Sequence, residues 1–488
     1  MMVVDDPKEA TLSAPTLDSS TSVLCKADRE ALLNLVEEKS RIAFVIKHGR
    51  SLFRKLNGLK ENKPTDVGLV AFVPEEAKKT ISPEVESCFD WIVYYDDSET
   101  HVDNLILTLT SCTAIPLPDF DQFVTELLNF IPKDKLILIH AEEFTMTVLS
   151  GIREKHGLKG ACLEDIDRLC RKERVVEIAE NAGILIAKSV FVDFAALPSK
   201  TEILEKVTVK VQTFPMFVKP TRMAGSTGTA KLENMEDLER WVDTTMALEE
   251  ASTYLVQEYV RGREFSVVIV LLQDGLWKPL VVKWNHKDLS NYEGYFKDGL
   301  IMARRLRFDD AKNGMFPGID DFAQQVINAF KPVHPQVFFL QGFQDLNDPM
   351  RYYLNELGYR PPGGDHTNDA FYWTCGIDQF AALLISHMDP HYKAEPDRSW
   401  KPRICTSINY YYKKGRLLCH NAFPSQPEIK GKIGFSHWFV KPETEIPNAR
   451  FMGDTIVQFA LDSENKKEQE EDLDWIFENW KPDVKFEV

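Results

Sequence analysis

The sequence has no apolar stretch approaching the ~20 residues that a membrane-spanning helix needs. Its beginning carries Asp5 and Asp6 and reaches no apolar run of signal length before Arg29, so neither a secretory leader nor a membrane partner is expected. Positive charge is also scarce. Against 75 Asp and Glu stand 58 Lys and Arg, a formal net charge of −17, and a field of that sign repels nucleic acid and anionic lipid. Any phosphate ligand must therefore be held by a local constellation. The eight cysteines (Cys25, Cys88, Cys112, Cys162, Cys170, Cys375, Cys405 and Cys419) form no CxxC pair and no Cys/His cluster. That argues against a disulfide framework or a zinc site, and for reduced thiols in a cytoplasmic protein. A Walker loop, a GxGxxG turn after a first strand and an internal repeat are likewise missing.

What is present reads as a multidomain globular chain, with 44% hydrophobic and 27% charged residues over 488 positions. Residues 1–24 are rich in Ser, Thr and Pro without an apolar period, and are expected to be a disordered tail. Then RIAFVIKHG from Arg41, DVGLVAFV at 66–73, CFDWIVYY at 88–95, LILTLT at 105–110 and KLILIHAEEF at 135–144 alternate with helix-length stretches. Such short apolar runs predict a parallel α/β sheet buried on both faces. A second unit opens near Gly160, where Ile166, Leu169, Val176, Ile178 and Ala179 predict one amphipathic helix that stops at Gly183. The charged run DSENKKEQEEDLD at 462–474 is expected to be a solvated linker and helix face.

Three segments carry chemistry. In FPMFVKPTRMAGSTGTA an apolar strand delivers Lys219 and then enters a loop of small residues. Backbone amides there approach phosphate oxygens closely while the ammonium neutralises their charge, although a hairpin turn after an edge lysine has the same pattern. In YLVQEYVRGREFSV, Gln257 to Val260 offer a strand edge and apolar walls for a purine, and Glu264 a carboxylate for ribose hydroxyls; an ordinary hairpin is the other reading. In QGFQDLNDPMRYYLNELGYRPPGGDHTND, Asp345 and Glu356 are candidate magnesium ligands, and Arg360 a candidate bidentate partner for a phosphoryl group or carboxylate. A hairpin with exposed carboxylates is the alternative there.

Taken in order, these segments resemble the ATP-grasp superfamily. Lys172 leads through a helix to Ala182-Gly183-Ile184; Lys219-Pro220 precedes the loop Gly225, Ser226, Thr227, Gly228; a hinge strand Gln257, Glu258, Tyr259, Val260 precedes Gly-x-Glu at Glu264; and Glu356 with Arg360-Pro361 closes the set. The resemblance implies a Rossmann-like pre-ATP-grasp domain at 25–158, a two-lobed ATP-grasp domain at 159–395 with its lid at about 170–258, and a small C-terminal β-rich α+β region at 396–488. It implies that Lys172, Lys219, the loop, the hinge strand and Glu264 bind ATP, that Asp345 and Glu356 hold magnesium or manganese, and that Arg360 is catalytic. It further implies phosphorylation of a carboxylic acid to an acyl phosphate, which an amine then captures. Two departures stand out: Gly358 occupies a position where many members carry an Asn ligand, and a count back from Glu356 falls nearer Gln344 than Asp345. A regulatory ATP-binding protein without turnover and a carboxylase or purine-type enzyme remain the alternatives. Within 283–308, Arg304, Arg305 and Arg307 either attract a substrate carboxylate or form an exposed basic strand edge.

Overall fold

The computed structural model describes residues 23–48, 53–96, 120–196, 199–221, 225–248, 253–363, 365–396, 400–450 and 453–486. The run 105–110 and most of the expected tail lie outside them. Val23 and Leu24, at the tail's end, donate backbone N–H groups to Glu126, and Leu24 is buried.

The first four strands, β1 (Arg41–Ile46), β2 (Val67–Pro74), β3 (Trp91–Tyr95) and β4 (Leu136–His140), form a parallel sheet in the order β3-β2-β1-β4. Continuous apolar runs suit them because both faces are covered. One face packs on helices through Leu32, Phe123, Leu127 and Leu149. The other meets the helix Gln379–Met388, which is buried nearly all round and also touches the central antiparallel sheet.

A second sheet is antiparallel, with β5 (Ser189–Asp193), β6 (Met216–Pro220), β7 (Ala230–Leu232) and β8 (Thr253–Glu258) in the order β5-β8-β6-β7. With the helices Lys200–Lys210 and Met235–Met246 it makes a small lobe whose core holds Ile203, Val207, Val218, Leu238 and Val256. The expected single helix before it is two, Leu163–Cys170 and Lys172–Asn181, with Arg171 extended between them. At about 100° per residue a straight helix would turn Val175 roughly 180° away from Ile166. The break at Arg171 resets the phase, so that both bury against one core.

The central sheet has eight strands: β9 (Gly262–Leu271), β10 (Trp277–Asn285), β11 (Leu300–Arg307), β12 (Gln336–Asp345), β13 (Tyr352–Gly358), β14 (Ile404–Tyr411), β16 (Lys432–Trp438) and β18 (Thr455–Ser463). Their order is β13-β12-β9-β10-β11-β14-β18-β16. Three C-terminal strands thus continue the sheet begun by β9, because β14 pairs with β11, and the expected boundary at 395 does not divide two sheets. A small sheet of β15 (Gly415–Cys419), β17 (Glu445–Ile446) and β19 (Asp483–Phe486) lies beside it. The charged run at 462–474 lies across the end of β18 and the start of the helix Lys466–Asn479, in which Gln469, Asp472 and Leu473 are nonetheless buried.

Strand alternation decides which residues the central sheet gives to its core and which to its open face. On β9, Phe265, Val267, Ile269 and Leu271 point into a core with the helix Ile319–Phe330, leaving Glu264, Ser266 and Val268 on the other side. By the same rule β12 presents Phe339, Gln341 and Phe343, β10 presents Val281 and Lys283, and β11 presents Ile301, Ala303 and Arg305. Among the described residues all seven cysteines are free thiols, and no helix is long and apolar enough to cross a membrane.

Candidate ATP-binding cleft

The open face of the central sheet and the small lobe enclose a cleft of about 1490 Å³. Lys219 reaches it from β6. Its ammonium donates to Asn355 Oδ1 of β13 at 2.6 Å, tying the lobe to the sheet beside Glu356. Burial pulls the Lys219 pKa down to about 8, opposed by the charge of Glu356. Lys172, at the start of its helix, donates to the carbonyl of Thr221 at 3.3 Å, so a second ammonium stands at the root of the loop.

The loop reverses direction through left-handed backbone at Gly225, Ser226 and Gly228, with φ of 64°, 63° and 66°. Glycine takes that conformation without steric cost, which accounts for two of the three positions. Gly225, Ser226 and Thr227 line the cleft while Gly228 does not. The Thr227 hydroxyl is buried and has no hydrogen-bond partner among the described residues. A buried hydroxyl left in that state is costly unless a ligand completes it.

At the other end of the lobe, Gln257, Tyr259 and Val260 line the cleft with Phe217 and Leu255. Glu258 does not; its carboxylate accepts the Lys188 N–H at 3.0 Å. Burial holds the Tyr259 hydroxyl protonated, with its pKa raised to about 12. Glu264 lies on the sheet below. It accepts two hydrogen bonds from Asn291, from the backbone N–H at 2.6 Å and from the amide at 2.5 Å, and a third from Gln341. Burial raises its pKa, against those bonds and the nearby Lys283 and Lys219.

The two expected metal ligands do not converge. Gln341, not Asp345, stands across the ladder from Glu356. Asp345 lies four residues farther along β12, outside the cleft, where its carboxylate accepts the Asn347 N–H at 2.8 Å within the β12–β13 turn. The alternative, Gln344, points to the opposite face: it is buried, accepts from Arg263 at 2.8 Å and donates to the carbonyls of Met315 and Pro349. Glu356 by contrast lines the cleft, and no hydrogen bond or ion pair holds its carboxylate among the described residues. Gly358 has a steric cause. A Cβ there would lie 2.0 Å from the Phe339 ring, so no asparagine fits without displacing it.

Arg360 lines the cleft and rests over the Phe339 ring at 5.4 Å. Its Nε donates to Glu143 at 2.5 Å, and its Nη1 to the carbonyl of Pro361 at 3.0 Å. Glu143 opens a helix of the first domain, so the parallel sheet's module takes part in the wall. Of the three arginines on β11, only Arg305 faces the cleft; Arg304 pairs with Glu470 and Arg307 with Asp310. Sequence reasoning missed Glu143, Asn355, Gln341, Asn291 and Lys283. Counting in twos from Glu264 along β9 would have found the face, but not the partners that the ladder places across from it.

Residues 178–304 match the family model described as D-ala D-ala ligase C-terminus. The D-alanine–D-alanine ligase of Petrotoga mobilis is 23% identical over 177 residues, 36% of this chain and 58% of that protein. That of Chlorobium luteolum is 32% identical over 92 residues, 19% of this chain and 25% of its own length. The chain thus spans only part of the relatives it matches. Among solved structures, L-amino acid ligase from Bacillus licheniformis superposes with a TM-score of 0.60 at 15% identity, over 92% of this chain and 100% of that one. N5-carboxyaminoimidazole synthetase from Staphylococcus aureus does so with 0.53 at 14% identity, over 91% and 98%. The chain thus shares its fold with these solved structures across nearly its whole length, and its segment 178–304 resembles the C-terminal part of D-alanine–D-alanine ligases.

Proposed function

We propose that the protein is an ATP-dependent carboxylate–amine ligase acting on small molecules in the cytoplasm. The observation that carries this reading is the apposition of Lys219 with Asn355 and Glu356 across the cleft, an ammonium from one lobe against the free carboxylate of the other. This pairing of a cation with an unpaired carboxylate suits a triphosphate and its metal ion. Lys219 and Lys172 supply positive charge, and Gly225, Ser226 and Thr227 supply a small-residue loop with an unpartnered hydroxyl. Glu264 suits the ribose, and Phe217, Leu255, Tyr259 and Val260 suit the faces of a purine.

The donor set also fits a divalent cation, magnesium by preference and manganese as the alternative. Glu356 and the amide oxygen of Gln341 opposite it are hard oxygen donors, and magnesium commonly takes one or two carboxylates plus phosphates and water. Held there, such an ion would supply positive charge against the charge that develops in phosphoryl transfer. In the first step a carboxylate oxygen of the acid forms a bond to the γ-phosphorus as the β–γ bridge breaks, and the electron pair leaves with ADP. In the second, an amine attacks the acyl carbon and phosphate departs with the bonding pair. Arg360, held by Glu143 and its ring platform, is suited to charge that grows on the transferred group. The small lobe, folding over the loop, would keep water from the acyl phosphate.

The test is a matrix of carboxylic acids with hydroxylamine as a general amine, read by ADP release and hydroxamate formation. The ligase reading expects both products in equal amount for at least one acid. MgATP binding without either product for any acid would favour the regulatory reading instead.

A further inference from the structure

Five strands of the central sheet each contribute one residue to a single transverse row on the cleft face. Glu356 pairs with Gln341, Gln341 with Ser266, Ser266 with Lys283, and Lys283 with Arg305. All five line the cleft. With strands spaced by roughly 4.8 Å, the backbone of Lys283 stands about 14 Å and that of Arg305 about 19 Å from Glu356. The row runs from the free carboxylate of the nucleotide end to two cations at the other.

Glu264 is the carboxylate that acts on Lys283, from beyond ion-pair distance. Arg305 is buried and Lys283 half-buried, and neither forms an ion pair among the described residues. The contacts of Arg305 are neutral: its Nη1 donates to the carbonyl of Ala303 at 3.0 Å and to the Ser407 hydroxyl at 2.9 Å. Burial and the adjacent guanidinium pull Lys283 down to about 8, with Glu264 acting the other way. Buried like charges side by side are unfavourable unless an anion joins them. The flanking Arg304 and Arg307 show the contrast, since each has its own carboxylate in Glu470 and Asp310. Nor is the triphosphate short of cations, because Lys219 and Lys172 meet it from the other lobe. Beyond Arg305 the cleft continues between Asn409 and Tyr411 of β14 and Gln458 of β18, so there is room for a small molecule past the nucleotide.

We propose that Lys283 and Arg305 form the anion subsite of the acid substrate, receiving the second acidic group of a dianionic acid whose other carboxylate is activated beside Glu356. This rests on the ligase reading above. The second group is a carboxylate or a phosphate, which share the chemistry that a paired ammonium and guanidinium recognise.

The experiment compares matched acids in the hydroxamate assay: a dicarboxylic acid against its monoamide, and a phosphorylated hydroxy acid against the unphosphorylated one. In the wild type one dianion should show a KM about 10²-fold below that of its neutral-tailed partner, and which pair does so identifies the group. Lys283→Met and Arg305→Met should each erase that advantage while leaving MgATP affinity, measured by calorimetry, unchanged. Lys283→Arg and Arg305→Lys should retain most of it, which separates lost charge from lost folding. Equal KM values within every pair, or MgATP affinity lost in the Met variants, would overturn the assignment. If no acid yields ADP, the ligase reading fails separately. The subsite is then judged by calorimetry of the same dianions on MgATP-loaded protein: binding abolished by Arg305→Met upholds it, and absence of binding overturns it.

Discussion

Replacing Gly358 with alanine probes how the phosphate end of the cleft is built. The added Cβ would sit 2.0, 2.3 and 2.8 Å from three atoms of the Phe339 ring, whereas carbon atoms pack at about 3.5–4.0 Å. The ring must therefore withdraw by roughly 1.5 Å. Gly358 lies in an extended strand without left-handed backbone, so the perturbation is purely steric. Overpacking of this kind costs about 1–3 kcal/mol, to be read from the urea midpoint of the variant against wild type. Because the guanidinium of Arg360 rests on the same ring, kcat for ADP release should also fall, by as much as 10²-fold for a shift of about 1 Å. Phe339→Leu in the Gly358→Ala background should restore stability by opening space. A Gly358→Ala protein with wild-type midpoint and kcat would refute both the steric account and the role given to the ring.

Other expectations follow from the same geometry. Lys219→Ala should weaken MgATP binding about 10- to 100-fold by calorimetry, since a charge-assisted contact is removed from a closed site. Asp345→Asn should leave kcat within about twofold, the scale of a surface change, because its carboxylate caps a turn outside the cleft; loss of activity would restore it as a ligand. MgATP affinity should fall with rising pH. Burial lowers the Lys219 pKa to about 8, so the ammonium proposed to bind phosphate is lost as pH climbs through that value, and affinity should drop roughly tenfold between about pH 7 and pH 9. Affinity that stays flat over that window would remove Lys219 from the phosphate contacts. The sign is opposite for the stability of the free protein: burial lowers the folded pKa to about 8 from the ordinary 10.5, the unfolded chain keeps the proton between those values, and stability should rise as pH climbs from about 8 towards 10.5.

The fold was legible where local pattern suffices. Apolar runs bounded by turn residues marked β1, β2, β3 and β4, and the order Lys219, small-residue loop, Glu264, Glu356 was enough to suggest the superfamily. What escaped was set by pairing at long range. The register of β12 on β13 puts Gln341 across from Glu356, and no local count distinguishes that from Asp345, since residues 341, 343 and 345 share a nominal strand face. The helix break at Arg171 was hidden because its two halves each keep helical spacing, and only their relative phase demands a kink. The return of β14 to β11 joins residues about a hundred positions apart, and so could not be told from a separate C-terminal region. Gly358 looked like a lost ligand and is a packing position under Phe339.

The central claim is that the carboxylate of an acid attacks the γ-phosphorus of ATP on the floor of this cleft. Its most direct test uses an accepted acid labelled with heavy oxygen in the carboxylate, and follows the label by mass spectrometry. Acyl phosphate formation predicts one labelled oxygen in each released phosphate, none in the nucleotide, and loss of the transfer in Glu356→Gln while the fold persists. Label appearing in AMP, or released phosphate whose fourth oxygen comes from solvent rather than from the acid, would contradict it.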